Sequence, residues 1–330
     1  MLGIGRKFEK AASVSKNKIE GGSMKKKLLI FAAVALVLAL VGYFVVPGML
    51  LKWGTESERK AAGLQEKRVR VGDHEIVYLE GGHGETILMI HGFAANKDNW
   101  VRFAKSISAG YHVVALDLPG FGESTCLENA SYSIVDQAKR LNHFADAVGL
   151  KKFHIVGNSM GGHIAARYTV MFPERVLTLG LFDSAGVRSP VPSEMVERLT
   201  KGESNPLVAG SVEEFDSLIK FVFSTPPDIP RFVKKLLLEE AQRHKTSNER
   251  IFKQILSENA ALEPDLPKIK TRTLVLWGDQ DRVLDISSVK VLEKGLPNCT
   301  VVIMQNCGHL PMIERPKEAA EHYLVFLKGT

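Results

Sequence analysis

Six short apolar runs, separated by stretches with helical patterning, constrain this chain more than any other feature. They are Thr86–His91, His112–Asp117, Phe153–Gly157, Leu177–Asp183, Thr273–Gly278 and Thr300–Met304. Strands that alternate with helices return to the same end of a sheet each time, which predicts a mostly parallel sheet covered on both faces. Ahead of them, Val69–Leu79 carries the turn pair Gly72 and Asp73 between alternating apolar residues and reads as a hairpin. The expected fold is therefore α/β, with a mostly parallel eight-stranded sheet flanked by helices. The spacing breaks once, over the roughly 90 residues between Asp183 and Thr273, as long as a small domain. Val212–Phe223 and Arg231–Leu256 there show apolar positions at i, i+3 and i+4, which predicts an inserted helical cap.

Chemistry gathers where these strands end. Gly157, Asn158, Ser159, Met160 and Gly161 form a GxSxG pattern between a strand and a helical run. A serine exposed on so tight a turn needs small neighbours, and its place at a helix N-terminus aims N–H groups at developing negative charge. A serine hydroxyl is a poor nucleophile near neutral pH, so it needs a neutral imidazole and a carboxylate that holds the imidazole's tautomer. Asp281 lies just past the strand Thr273–Gly278, and His309 lies just past the last strand. Ligands bind outside the carboxyl ends of such strands, so all three side chains fall at one rim. Asp279, Asp285 and Asp183 compete for the carboxylate role, and loop position with the chain order Ser, Asp, His favours Asp281. His91, Gly92 and Phe93 open a turn at another strand end, with His91 expected to hold loops beneath the serine.

Other chemistries find little support. Asp117–Ser124 contains glycines but lacks the full dinucleotide spacing, and neither a phosphate-cradling GxxxxGK[ST] nor HExxH occurs. Cys126, Cys299 and Cys307 show no metal-ligand spacing and suggest no disulfide framework. The net charge of +6 is wholly N-terminal: residues 1–27 hold eight basic and two acidic side chains, and the remainder sums to zero. A nucleic-acid partner is accordingly not expected.

The basic tail, residues 1–27, precedes 24 consecutive uncharged residues, Leu28–Leu51. As a helix this run reaches about 36 Å, enough to span a bilayer. It is longer than the apolar stretch of a cleaved signal peptide, and Tyr43 and Trp53 suit an interface near its far end. The expectation is a single-pass anchor at 28–51, a juxtamembrane linker at 52–66, a catalytic core at 67–186 and 270–330, and the cap at 187–269. Basic residues on the two flanks tie at six each, and Lys25–Lys27 abutting the run favours a cytoplasmic N-terminus with a translocated catalytic domain, periplasmic in a bacterium. Ala35 and Ala39 form a small-xxx-small pair through which two anchors could pack as a homodimer, though alanine is common in such helices.

With these residues in place, the chain resembles the α/β-hydrolase superfamily over residues 67–330. HGF at His91–Phe93, DLPGFGES at Asp117–Ser124, GNSMGG at Gly157–Gly162, WGDQDRVLD at Trp277–Asp285 and NCGHLPMIERP at Asn306–Pro316 carry the resemblance. Together with the apolar N-terminal run they look most like membrane-anchored monoacylglycerol lipases and related bacterial phospholipases A. The resemblance implies hydrolysis of carboxylic esters of glycerol-based lipids, with a membrane lipid as substrate, a fatty acid as product and no cofactor or metal. It implies Ser159 as nucleophile, His309 as base and then acid, Asp281 as its orienter, and the backbone N–H groups of Phe93 and Met160 as oxyanion donors. Phe221, Phe223 and Phe232 in the cap are candidates to line an acyl pocket, although aromatics at helical spacing more often form a cap's own core. Carbon–carbon bond hydrolases and general carboxylesterases of the same fold are alternatives, as is a non-catalytic ligand-binding module.

Overall fold

The computed structural model describes residues 26–27, 29–36, 42, 45–258 and 260–329. The chain divides into an N-terminal unit, 1–54, and a second unit, 55–330.

In the second unit, β1 (Leu64–Val71) and β2 (His74–Gly81) form the expected hairpin, closed by the pair Val71 and His74 across Gly72, whose φ of 58° suits glycine. The sheet thus opens before residue 67. It continues through β3 (Thr86–Ile90), β4 (His112–Leu116), β5 (Phe153–Asn158), β6 (Val176–Phe182), β7 (Thr273–Gly278) and β8 (Cys299–Met304). The eight strands lie in the order β1-β2-β4-β3-β5-β6-β7-β8, antiparallel at β1/β2 and β2/β4 and parallel elsewhere. Every residue of β5 and β7 is buried, as strands covered on both faces require.

Alternation along the strands feeds two apolar layers. On one face Leu88, Ile90, Val114 and Ile155 pack with Leu141 and Phe144 of α3 (Ile134–Ala147) and Ile164 and Tyr168 of α4 (Met160–Met171). On the other, Ile87, Met89, Val113 and Leu274 pack with Phe103 of α2 (Val101–Ala104) and Tyr323 of α10 (Pro316–Lys328). The helix α8 (Ser288–Gly295) and the single turn α9 (Pro311–Glu314) flank β8.

Between β6 and β7 lie α5 (Glu194–Thr200), α6 (Val212–Val222) and α7 (Arg231–Ser257). Ser193 and Ser211 cap the first two, their hydroxyls accepting from the N–H groups of Val196 and Glu214. The two longer helices match the periodicity; α5, at seven residues, is too short to register in it.

Among the described residues, no helix is long and apolar enough to cross a membrane. Residues 29–36 are helical, with Leu29, Ile30, Phe31, Val34 and Leu36 exposed. The first complete helix, α1 (Val46–Ala61), runs across the expected boundary at 51 and bears Lys52, Glu56, Glu58, Arg59 and Lys60, too many charges for a span. Residues 28, 37–41, 43 and 44 of the proposed anchor, Ala39 among them, fall outside the described residues.

Candidate active site

The turn from β5 into α4 places Ser159 at φ 55° and ψ −121°, a strained conformation for a residue with a side chain. The glycines around it are dictated by space. A Cβ on Gly157 would sit 2.2 Å from the carbonyl oxygen of Gly161, and one on Gly161 would sit 2.3 Å from that of Ile90. A Cβ on Gly162 would meet the Ser184 hydroxyl at 2.4 Å. The Ser159 N–H donates to the Phe182 carbonyl at 3.0 Å, which ties the bend to the end of β6.

Asp281 sits in the loop after β7. One oxygen, Oδ1, accepts the N–H groups of Val283 at 2.8 Å and Leu284 at 3.0 Å. The other, Oδ2, lies 2.8 Å from Nδ1 of His309, and both side chains are buried. An ionised carboxylate only accepts, so Nδ1 carries the proton and Nε2 keeps a lone pair. No hydrogen bond joins the Ser159 hydroxyl to this imidazole. The two loops are nonetheless tied: Nδ2 of Asn158 donates to the His309 carbonyl at 3.0 Å and to that of Phe182 at 3.1 Å. Asp279 accepts the N–H of Cys307 in the His309 loop at 3.3 Å, and Asp285 accepts that of Ser287 within its own loop.

Asp183 is the surprise. It ends β6 with φ 44°, is fully buried, and accepts the Gly278 N–H at 2.9 Å through Oδ1, while its Oδ2 has no partner. A donor atom from each of Asp183, Asp281 and His309 lies within 4.8 Å of the others. With His309 Nδ1–H directed at Asp281, that nitrogen offers no lone pair to a metal. Burial pushes the Asp183 carboxyl well above the usual carboxylate range, and the charge of Asp281 pushes it the same way. The folded protein therefore holds a proton there that the unfolded chain releases above about pH 3.9. The resulting stabilisation is complete below that pH and is lost as pH rises toward the folded value. Asp183→Asn, which cannot ionise in either state, should gain in Tm over the parent progressively from pH 4 to pH 8. Thermal melts showing a pH-independent difference would remove the buried proton from this account.

The early loop is built on buried polar contacts. His91 is fully buried, its Nε2 accepts the Leu118 N–H at 3.0 Å, and its Nδ1–H donates to the Gly92 carbonyl at 2.7 Å. This is the loop-holding role expected from sequence. At the loop's far end, the buried Lys97 ammonium lies 2.9 Å from Asp117, which also accepts the Lys97 N–H at 2.7 Å. A Cβ on Gly92 would lie 3.2 Å from that of Ser159, so the loop approaches the serine closely. The next residue is Phe93, and Ala94 after it takes φ 55°. Among the described residues, no hydrogen bond occupies the N–H groups of Phe93 or Met160.

The aromatic candidates divide. Phe221 and Phe223 are buried in a cluster with Met195, Val222 and Val283, and the guanidinium carbons of Arg198 and Arg282 lie 5.0 and 5.2 Å from the Phe221 ring centroid. Phe223 also lines a cavity of about 560 Å³ with Thr225, Ile313 and Glu314. Phe232 is 42% exposed in the first turn of α7, outside the clusters that hold Phe221 and Phe223. The sequence reading missed Phe252 of α7, whose ring centroid lies 5.2 Å from that of Phe93 and brings the helical insertion against the early loop.

A family model for the alpha/beta hydrolase fold matches residues 85–316, and the chain belongs to that family. It is 36% identical over 312 residues to Lipase 1 of Psychrobacter immobilis, spanning 92% of this chain and 98% of that protein. It is 31% identical over 322 residues to monoacylglycerol lipase ABHD6 of Homo sapiens, spanning 94% and 93%. A solved structure described as a membrane phospholipase A and bacterial virulence factor superposes with a TM-score of 0.88 at 49% identity, covering 92% of this chain and 98% of that one.

Proposed function

We propose that this carboxylic ester hydrolase is a membrane-anchored lipase that cleaves monoacylglycerol, lysophospholipid or phospholipid through Ser159, His309 and Asp281. The observation that carries the reading is the 2.8 Å contact between His309 Nδ1 and Asp281, on a loop that Asn158 hydrogen-bonds directly beside the strained serine. In this mechanism Nε2 of His309 takes the Ser159 proton as the hydroxyl oxygen attacks the ester carbonyl. The N–H groups of Phe93 and Met160 receive the oxyanion. The glycerol oxygen leaves with the proton, and water, activated by the same imidazole, releases the fatty acid. The hydroxyl–imidazole contact forms with substrate bound, since catalytic hydrogen bonds are often loose in the empty site.

The lipid assignment is supported by the names of the relatives and by the 24 uncharged residues at 28–51. The helical insertion serves as a cap over the ester, with apolar surface from Phe252 and Phe93. The triple lysine before the uncharged run supports a cytoplasmic N-terminus.

The test uses the full chain in mixed micelles presenting monoacylglycerol, lysophospholipid and diacyl phospholipid in turn, with fatty-acid release as the readout. Release from at least one lipid, and retention of the chain in membranes through an alkaline wash, are the expected results. Turnover of short soluble esters with none of the three lipids cleaved would leave a general carboxylesterase; cleavage of a dienoic ring-fission product instead would favour the carbon–carbon hydrolase.

A further inference from the structure

One carboxylate outside the catalytic set gathers backbone N–H groups from two loops remote in sequence. Glu314, at the end of α9, accepts the Gly308 N–H at 2.9 Å and the Ser224 N–H at 3.2 Å through Oε2, and the Thr225 N–H at 2.7 Å through Oε1. Gly308 immediately precedes His309. Ser224 and Thr225 belong to the link between α6 and α7, inside the helical insertion.

The two loops also touch without Glu314. The His309 N–H donates to the Val222 carbonyl at 2.9 Å. A Cβ on Gly308 would lie 2.7 Å from both the Ser224 nitrogen and the Val222 oxygen, so the strands of backbone are at the closest approach that glycine permits. On its other side, the link reaches the Asp281 loop, where the Ser224 hydroxyl donates to Gln280 at 2.5 Å. Hydrogen bonds to a charged acceptor are roughly twice as strong as neutral ones, so three on one carboxylate make a firm joint.

We propose that Glu314 is a positioning residue that fixes the His309 loop to the insertion, so that the seat of the imidazole depends on the placement of the segment 222–225. This rests on the reading of His309 as the base. Displacement of the insertion at that link carries the His309 backbone with it, and its return over a substrate restores the imidazole to its place beside Ser159. The cavity that Glu314, Phe223 and Ile313 line lies against this joint.

Glu314→Gln keeps the size but replaces one acceptor oxygen by a donor, which then faces a backbone N–H. Glu314→Asp keeps the charge but is one methylene shorter and cannot bridge both loops; it is the variant to use if Glu314→Gln fails to give the parental circular dichroism. The parent, Ser159→Ala and the Glu314 variant are compared on a short soluble p-nitrophenyl ester and by amide hydrogen exchange. For the variant we expect kcat to fall roughly 10- to 100-fold with little change in KM, the penalty of a misplaced group rather than of lost binding. Faster exchange should appear together in peptides covering 221–226 and 306–310. A folded variant with parental kcat overturns the proposal, whatever its exchange, because the joint is then structural only. Exchange that changes in one loop and not the other overturns it as well. Equal activity in the parent and Ser159→Ala sinks the serine-hydrolase reading instead, and the exchange measurement still decides whether the two loops are coupled.

Discussion

Ser159→Ala is expected to lose about 10⁶-fold in kcat toward a soluble ester while its melting temperature stays within about a degree of the parent. The rate loss follows from removal of the only atom that forms the acyl bond, and a nucleophile deleted alone costs about as much as the whole constellation. The unchanged stability follows from the local structure. Alanine keeps the Cβ that the turn at φ 55° already tolerates, and the backbone bond from the Ser159 N–H to Phe182 remains. Retained oxyanion donors would leave a residual rate above that in water. Steady-state kinetics with a melting curve on the same preparation checks both halves, and parental turnover in this variant would end the proposed mechanism.

Asp281→Asn should cost about 10⁴-fold in kcat, and the reason lies in which oxygen is already occupied. Two backbone N–H groups, from Val283 and Leu284, hold Oδ1 as an acceptor. An amide has one oxygen, and those two donors keep it there, so the NH₂ group falls at the position of Oδ2 facing His309. The imidazole then adopts the tautomer protonated on Nε2, which cannot receive the serine proton. Asp183→Asn leaves the contact between Asp281 and His309 in place and should retain most of the activity. The opposite ranking of these two variants would transfer the orienting role to Asp183.

The candidate site residues share one trait in the sequence: each follows a strand end and has a glycine within three residues. Ser159, Asp281 and His309 could be read in that way because tight turns at strand ends demand small neighbours, and the glycines mark the turns. The contacts that Asn158, Asp183 and Glu314 make are not legible in the sequence, because they include backbone groups far along the chain, separated by 151, 95 and 90 residues for His309, Gly278 and Ser224 respectively. No local pattern encodes such a pairing. Phe232 is exposed for a related reason. Helix α7 has 27 residues, of which only Leu238, Asn248 and Ile251 are buried, so an apolar residue at helical spacing there does not imply a neighbour to pack against. The hairpin is legible from its Gly72-Asp73 turn, and the central parallel strands because a fully buried strand of a parallel sheet is apolar throughout and needs no distant partner to be recognised.

The crowding around the serine bend sets limits on how this enzyme can be altered. A methyl group at Gly157 or Gly161 meets carbonyl oxygens of the main chain, which cannot rotate aside. Mutant libraries aimed at new ester specificity should therefore leave those codons untouched.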